Sequence, residues 1–565
     1  MNRHCGTPRR FTPRRILCSL CLYSSALVAA EGLQPGQESL RLQQQQQREL
    51  QRLQLEQRRR QLQRGGAQAP ASTPTLPGQA AQDEYCWPLQ GLRLAGVTLL
   101  PASALEAGIK AHMAPCMGVH QINRLLAEIT RVYVAAGFIA VRPYLRHMPA
   151  AGRTLDITVD EGYVEAIELA DQRLPLSLRG AFPGMLGTPL NLRDLEQGLD
   201  QLNRLRSVDM TADIVPGSRQ GASRIILRAA ASAAHWSLDL GLDNTGNAGT
   251  GPERQTLGLT LDSPLQLNDA LSLSASNTLN HGPRLSSSTG LFYSVPYGYW
   301  TLSAFASHIE YRAPLKLTTT TLYGSGRTDQ FGLRVDRQGH QLSAHLQLAH
   351  KDVDAYLQKA RLGIQSPTLT LAEAGFNLFW HDAAVWSLDL NYTRGLTWLG
   401  ADRDSDRVLP NLPRAQSQTY RASLVQWRSS QLGGQPLQWQ SQLSLQYSPD
   451  PLPAIEQLLG TDDSAVRGYR RNSASGAIGA LWRNTLHMPV RSNRAVTLTA
   501  RLGLDHGWVK PEHGVPGLYL NGASVGLNLS WHRLQLDLDY QHALNLAKGF
   551  SHEPPVWLAR LSVQI

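Results

Sequence analysis

Charge, phenylalanine and long apolar runs are all scarce in this chain. Only 17% of its 565 residues are charged, and the mean hydropathy of −0.27 shows that long apolar segments do not dominate. A bundle of membrane-spanning helices, each needing ~20 apolar residues, is thereby excluded. The 42% hydrophobic content excludes a wholly disordered protein. The aromatics are tilted toward 12 Trp and 17 Tyr, against 9 Phe, and Gly reaches 48. Amphipathic rings with abundant Gly and little charge suit a β-rich protein with interfacial girdles.

Motifs that carry chemistry are also lacking. No phosphate-binding loop and no paired-His zinc motif occurs. Gly522-Ala523-Ser524-Val525-Gly526 has the spacing of a nucleophile elbow, but it lies within an alternating strand pattern rather than between a strand and a helix. Asp402 to Asp406 resembles the start of a calcium loop. Arg407 then stands where Gly is required and Pro413 where a bidentate Glu is required. His340, His345 and His350 have no other ligand candidates beside them and read as isolated surface or lumen histidines. No catalytic, metal or cofactor residue is assigned, and the chain is not read as an enzyme. The net charge of +10 is no footprint for nucleic acid, because half of it comes from Arg3, Arg9, Arg10, Arg14 and Arg15.

Those arginines precede an apolar stretch, Ile16 to Ala30, that ends in Val28-Ala29-Ala30. The pattern predicts a secretory signal peptide over residues 1–30. Its removal would leave Cys86 and Cys116 as the remaining cysteines, and two cysteines in an exported chain favour a disulfide. Closing that loop would contribute roughly 3–4 kcal/mol in the chain-entropy account.

Residues 31–64 are rich in Gln, Arg and Leu, all good helix formers, without a wide apolar stripe. A helix polar nearly all round needs an unusual setting, such as a hydrated channel. Residues 65–83 (Gly, Pro, Ala, Gln) read as an extended linker. Two small α+β modules follow, over 84–162 and 163–232. The first contains a helix with Ile122, Leu125, Leu126, Ile129 and Val132 on one face. The second contains a helix from Leu192 to Leu205, with Asn191 as N-cap and Asp194 in the first turn.

From 233 to 565 the period changes from helical to two. Trp236-Leu238-Leu240-Leu242, Leu257-Leu259-Leu261 and Leu534-Leu536-Leu538 alternate with Ser, Thr, Asp, Gln or Gly. About sixteen such segments fit the region, each with room for the ~9–11 residues of a spanning strand. A soluble sandwich gives similar alternation. The polar, sparsely charged second face and its persistence to Ile565 favour a closed barrel with a wet lumen.

One non-strand stretch is odd for an outside loop: Leu452-Pro-Ala-Ile-Glu-Gln, followed by Val466-Arg467-Gly468-Tyr469. It reads as an exposed tip or as a loop folded into the lumen, with Arg467 facing a carboxylate. The motif resembles the signature loop of the two-partner-secretion outer-membrane transporters, the TpsB family. Asp505, in Leu502-Gly-Leu-Asp-His-Gly507, resembles the strand acid that pairs with the loop arginine there. Cys86, Cys116 and Leu155 to Gly162 resemble the family's first POTRA domain, and Asn191 to Leu205 resembles its second.

The resemblance implies α+β periplasmic POTRA domains followed by a transmembrane barrel of sixteen antiparallel strands. It implies a plug helix within 31–64, an Arg467–Asp505 ion pair, and partner contacts from the helix region of Asn191, Arg193, Asp194 and Glu196. The implied location is the bacterial outer membrane. The implied partners are a secreted TpsA-type passenger, outer-membrane lipid and the barrel-assembly machinery. The passenger, a haemolysin, adhesin or contact-dependent-inhibition toxin, would be captured by the POTRA domains and exported unfolded without nucleotide. The rival readings are an outer-membrane insertase, which commonly carries more POTRA repeats, and a passive porin, which needs no capture domains. The terminal Ile565 departs from the aromatic at which such barrels usually end.

Overall fold

The computed structural model describes residues 37–44, 85–279, 282–316, 319–339, 341–404, 412–493, 495–511 and 514–565. The expected signal peptide (1–30), the linker (65–83), most of the Gln/Arg-rich segment, His340 and part of the calcium-like stretch lie outside the described residues. Of the Gln/Arg-rich segment, residues 37–44 form a helix, α1.

The first module orders its sheet β2-β1-β4-β3, with β1 Cys86–Ala95, β2 Cys116–Gly118, β3 Arg142–Leu145 and β4 Arg153–Asp160. Its helices are α2 (Ala102–His112) and α3 (Val119–Ala135). Helix α3 buries Ile122, Leu125, Ile129 and Tyr133 against Leu155, Ile157 and Val159 of β4, as its helical spacing requires. The alternation from Leu92 to Leu100 predicts the first strand there, but β1 begins at Cys86, which is bonded to Cys116 and pairs with Gly118 of β2. It also ends earlier, at Ala95, where Gly96 at φ +81° turns the chain.

The second module has sheet order β5-β7-β6, with β5 Tyr163–Leu169, β6 Val208–Pro216 and β7 Ala222–Ser232. Its helices are α4 (Leu178–Ala181) and α5 (Leu192–Leu202). Leu195 and Leu202 of α5 join Val164, Ile225 and Leu227 in its core. The helix stops three residues before the expected Leu205, where Asn203 instead bonds both backbone groups of Met210: its amide donates to the carbonyl and its side-chain oxygen accepts from the N–H.

The second module is locked to the barrel through side chains. Ser177 N–H donates to Asn268 Oδ1 at 2.8 Å, and Asn268 Nδ2 donates back to the Ser177 carbonyl at 2.7 Å. Gln201 Nε2 donates to the Gly298 carbonyl at 2.8 Å, and Ser207 N–H donates to Asp262 Oδ2 at 2.7 Å.

Among the described residues, sixteen antiparallel strands close the barrel, from Trp236–Asp243 to Val556–Gln564, which pair with each other. A two-residue return, Ala360–Arg361, lies on the edge of one strand. Leucines and aromatics face outward. In strand Thr321–Arg337, Phe331 and Leu333 are more than half exposed, whereas Thr328 and Gln330 are buried inside. In strand Leu534–Ala543, Leu538 is exposed while Asp537 and Gln541 are buried. This is the reverse of a water-soluble sandwich and requires an apolar medium outside.

The end carrying the α+β modules has short turns, such as Gly298–Tyr299, Gly433–Gly434 and His532–Arg533. The other end has long connections, including 448–477 and 544–555. Aromatics collect at both ends: Trp380 stacks on Trp386 at 5.7 Å near the short turns, and Tyr392, Tyr420 and Tyr447 form a row on neighbouring strands near the long loops. Two such girdles are what the interfaces of a bilayer select.

Candidate functional site in the barrel lumen

The connection 448–477 does not extend outward. It folds into the lumen as a hairpin whose base pairs Leu458 with Gly476 and Leu459 with Ser475. Val466 and Ala465, at its tip, are fully buried against Leu481, Val509 and Leu520 of the wall, in a small apolar core inside a polar lumen.

This packing carries Arg467 to Asp505, on strand Val496–Lys510. The contact is bidentate: Nε donates to Oδ2 at 2.6 Å and Nη2 to Oδ1 at 2.5 Å. The Arg467 backbone N–H adds a third bond to Oδ2 at 3.1 Å. Asp505 is wholly buried. The remaining donors of the guanidinium reach Ser524 Oγ at 2.9 Å, the Asn484 carbonyl at 2.9 Å and Thr485 Oγ1 at 3.3 Å. A buried charge pair satisfied this completely is costly to break from one side.

Glycines make the approach possible. Gly468 sits at φ +95°, where a side chain is strained, and a Cβ there would run into the backbone of His542. A Cβ on Gly522 would meet the Arg467 backbone, and one on Gly503 its guanidinium. The two strand glycines carry no role in the sequence reading, although a Gly inside a strand is itself a signal of close backbone approach. Tyr469 takes the next position: its hydroxyl bonds the Asn545 carbonyl at 2.8 Å, and its ring stacks edge-on against Phe550 at 5.9 Å.

Helix α1 also lies in the lumen. Arg41 Nη2 donates to Asp462 Oδ1 of the loop at 2.8 Å and, at 2.9 Å, to the carbonyl of Thr245 in the connection after the first barrel strand. Glu38 Oε1 accepts from Thr250 Oγ1 at 2.8 Å, and Gln44 Nε2 donates to the Gln457 carbonyl at 2.9 Å. Leu40 and Leu42 are buried with it. Glu38, Arg41 and Asp462 are contacts that composition alone does not single out.

The four residues expected on the partner-binding helix are divided. Asn191 caps α5 through the Arg193 N–H at 2.9 Å and bridges to Phe138 of the first module. Asp194 accepts from the Tyr299 hydroxyl of a barrel turn at 2.6 Å. Arg193 and Glu196 face solvent. Cys86 and Cys116 form a disulfide with a Cα–Cα distance of 5.4 Å. Of the histidines, His345 is not isolated: its Nε2 lies 3.2 Å from Glu373 Oε1 in the lumen.

A lumen filled by an inward loop and a polar helix, below which two α+β modules hang, can now be set beside known proteins. The profile described as "Haemolysin secretion/activation protein ShlB/FhaC/HecB" matches residues 221–529. Profiles of POTRA domains match 87–162 and 163–216. The chain belongs to this family of two-partner-secretion transporters. It is 37% identical to the haemolysin transporter protein ShlB of Serratia marcescens, over 98% of this chain and 99% of that one. It is 35% identical to the haemolysin transporter protein HpmB of Proteus mirabilis, over 92% of each. The solved structure of CdiB from Escherichia coli superposes with a TM-score of 0.84 at 26% identity, covering 94% of this chain and 99% of that one. The barrel is therefore an outer-membrane barrel, and the two modules are POTRA domains in the periplasm.

Proposed function

We propose that this transporter exports a single class of partner, a TpsA-type haemolysin, adhesin or contact-dependent-inhibition toxin. Its POTRA domains capture the partner in the periplasm. The partner then crosses the lumen unfolded, and folding outside, rather than a nucleotide, gives the passage its direction. The exposed Arg193 and Glu196 of α5 belong to the capture surface, while the outward leucines meet lipid after the barrel-assembly machinery has inserted the chain.

One observation carries the reading. The lumen is occupied by elements held through side-chain bonds, such as Arg41–Asp462 and Arg467–Asp505, rather than by strands of the wall. Such elements can leave without dismantling the backbone ladder of the barrel. A porin has no use for a lumen obstructed in this way, nor for two domains suited to adding an extended segment at a free sheet edge.

The test is co-expression of this chain with a candidate TpsA-type secreted protein. The partner is expected in the medium only when the transporter is present. A partner retained in the periplasm despite a normally inserted barrel would overturn the proposal.

A further inference from the structure

The inward loop is bonded to the wall at several points along its course. Glu456 meets Lys351 and accepts from Arg421 Nη2 at 3.1 Å, Asp463 accepts from Gln541 Nε2 at 2.6 Å, and Arg467 holds Asp505. Residues 470–472, on the return limb, make a different kind of contact. They bond to the connections on both sides of the seam where the barrel closes.

The seam pairs the first strand, Trp236–Asp243, with the last, Val556–Gln564, over five residue pairs, from Asp239 with Gln564 to Asp243 with Arg560. Each of these strands is paired over eight residues with its other neighbour. At the outer end a side chain takes over from the backbone ladder. Asn244, the residue after the first strand, sends its N–H to the Ala559 carbonyl at 3.2 Å. Its Oδ1 accepts from the Ala559 N–H at 2.8 Å, and its Nδ2 donates to the Trp557 carbonyl at 3.0 Å.

The return limb spans this end. On the side of the last strand stands Glu553, 3% exposed. Its Oε1 accepts from the N–H groups of Arg470 at 2.5 Å and Arg471 at 2.7 Å. Its Oε2 accepts from the Asn472 N–H at 3.1 Å and from Asn472 Nδ2 at 2.6 Å. Bonds onto an ionised carboxylate are stronger than those between neutral groups. On the side of the first strand, Arg470 Nη2 donates to the Asn244 carbonyl, and to the Gly246 carbonyl at 3.0 Å. The Gly246 N–H donates to the Pro252 carbonyl at 2.9 Å, so this anchor is a folded connection and not a free end. Arg470 thus has its backbone tied to one side of the seam and its guanidinium to the other.

We propose that Arg470 and Glu553 are positioning residues that staple the closing strands together at the outer end of the barrel. A short ladder resists splaying less than its longer neighbours, because each residue pair brings its own backbone bonds. The loop that fills the pore then also holds the wall shut, and withdrawing its return limb loosens the seam as the lumen opens. That last step rests on the loop being the gate of an export pore; the staple does not.

Pulsed electron paramagnetic resonance on the full chain in detergent tests it, with nitroxide labels on introduced cysteines. Cys86 and Cys116 are bonded to each other and take no label. One label pair, Gln255→Cys with Leu538→Cys, replaces exposed residues on the strands that flank the closing pair. A second, Phe376→Cys with Leu445→Cys, spans as many strands elsewhere in the wall. In Arg470→Ala and in Glu553→Gln the seam pair shifts to longer and broader distances, while the second pair keeps the distances of the unaltered protein. A seam pair unmoved in both variants, or a second pair that broadens as much as the first, overturns the proposal. If Glu553→Gln fails to insert, Arg470→Ala still decides. A failure of the export reading shows separately, as no partner in the medium whatever the distances.

Discussion

Arg41 of the lumen helix and Asp462 of the inward loop meet at 2.8 Å, with side chains 10% and 2% exposed. The pair joins two segments far apart in sequence and anchors neither to the wall by itself. Removing one partner leaves the other charge in a site closed to water, at a cost of about 3–5 kcal/mol where burial is complete. Asp462→Asn is therefore expected to loosen the helix. The measurement is the conductance of the purified protein in planar bilayers, where the variant shows more frequent open levels than the unaltered chain. A closed baseline identical to that of the parent would mean that the pair does not hold the helix.

Arg467 and Asp505 allow a sharper experiment because both can be removed together. Arg467→Ala leaves a wholly buried carboxylate without its guanidinium, with a loss of roughly 3–5 kcal/mol in the attachment of the loop. Arg467→Ala with Asp505→Ala removes both charges and costs less than the single change, by the logic of a double-mutant cycle. Secretion is expected to fall in Arg467→Ala while heat-modifiable mobility shows a folded barrel. Equal losses of loop protection from hydrogen exchange in the single and the double variant would show that the stranded carboxylate carries no penalty of its own.

Much of this was legible in the sequence. Period-two alternation foretold the barrel, because side chains on successive strand residues must face lipid and lumen in turn. The helical spacing of Ile122, Leu125 and Ile129 foretold the buried face of α3. The Val466 to Tyr469 stretch stood out because a charge beside Gly and Tyr is an unusual choice for an exposed tip. Lys351, Arg421 and Glu456 were not legible as a group, since they come from three places in the chain and only barrel closure brings them together. Asp194 was expected among the partner contacts of its helix, and its bond to Tyr299 depends on how the second POTRA domain meets the barrel. Strand ends were also hidden where a disulfide or a turn glycine, rather than alternation, sets the limit, as at Cys86 and Gly96.

Gly468 and Gly549 separate strain from contact. Both have positive φ, at +95° and +89°, but a Cβ on Gly549 meets nothing within 4 Å while one on Gly468 strikes the neighbouring strand. Gly549→Ala carries only the backbone penalty of about 1–2 kcal/mol. Gly468→Ala carries that penalty and also displaces Arg467 from Asp505. Gly468→Ala is expected to lower secretion severely, and Gly549→Ala to leave it near the parental level. Matching secretion by the two variants would remove close packing of the tip as a requirement.

The first POTRA domain has its own acid-sensitive joint. Glu161 accepts from the Leu99 N–H at 2.9 Å, the Thr98 N–H at 2.8 Å, the Thr98 hydroxyl and the Tyr133 hydroxyl at 2.7 Å. Burial opposes its ionisation, and the bonds from Thr98, Leu99 and Tyr133 outweigh that effect, holding its carboxyl below the usual carboxylate range. A carboxylate with a depressed folded pKa contributes stability that is complete above its unfolded value of ~4.3 and is lost as pH falls through the folded value. Glu161→Gln accepts fewer bonds and has no charge to titrate. The melting of the POTRA helices, followed by circular dichroism on the full chain, is therefore expected at a lower temperature in Glu161→Gln at neutral pH. The gap between the two proteins should narrow as the pH falls below the unfolded value of ~4.3 and through the lower folded one, where the parental carboxyl takes up its proton. A gap that stays constant through that window would show that Glu161 holds the domain by shape and not by charge.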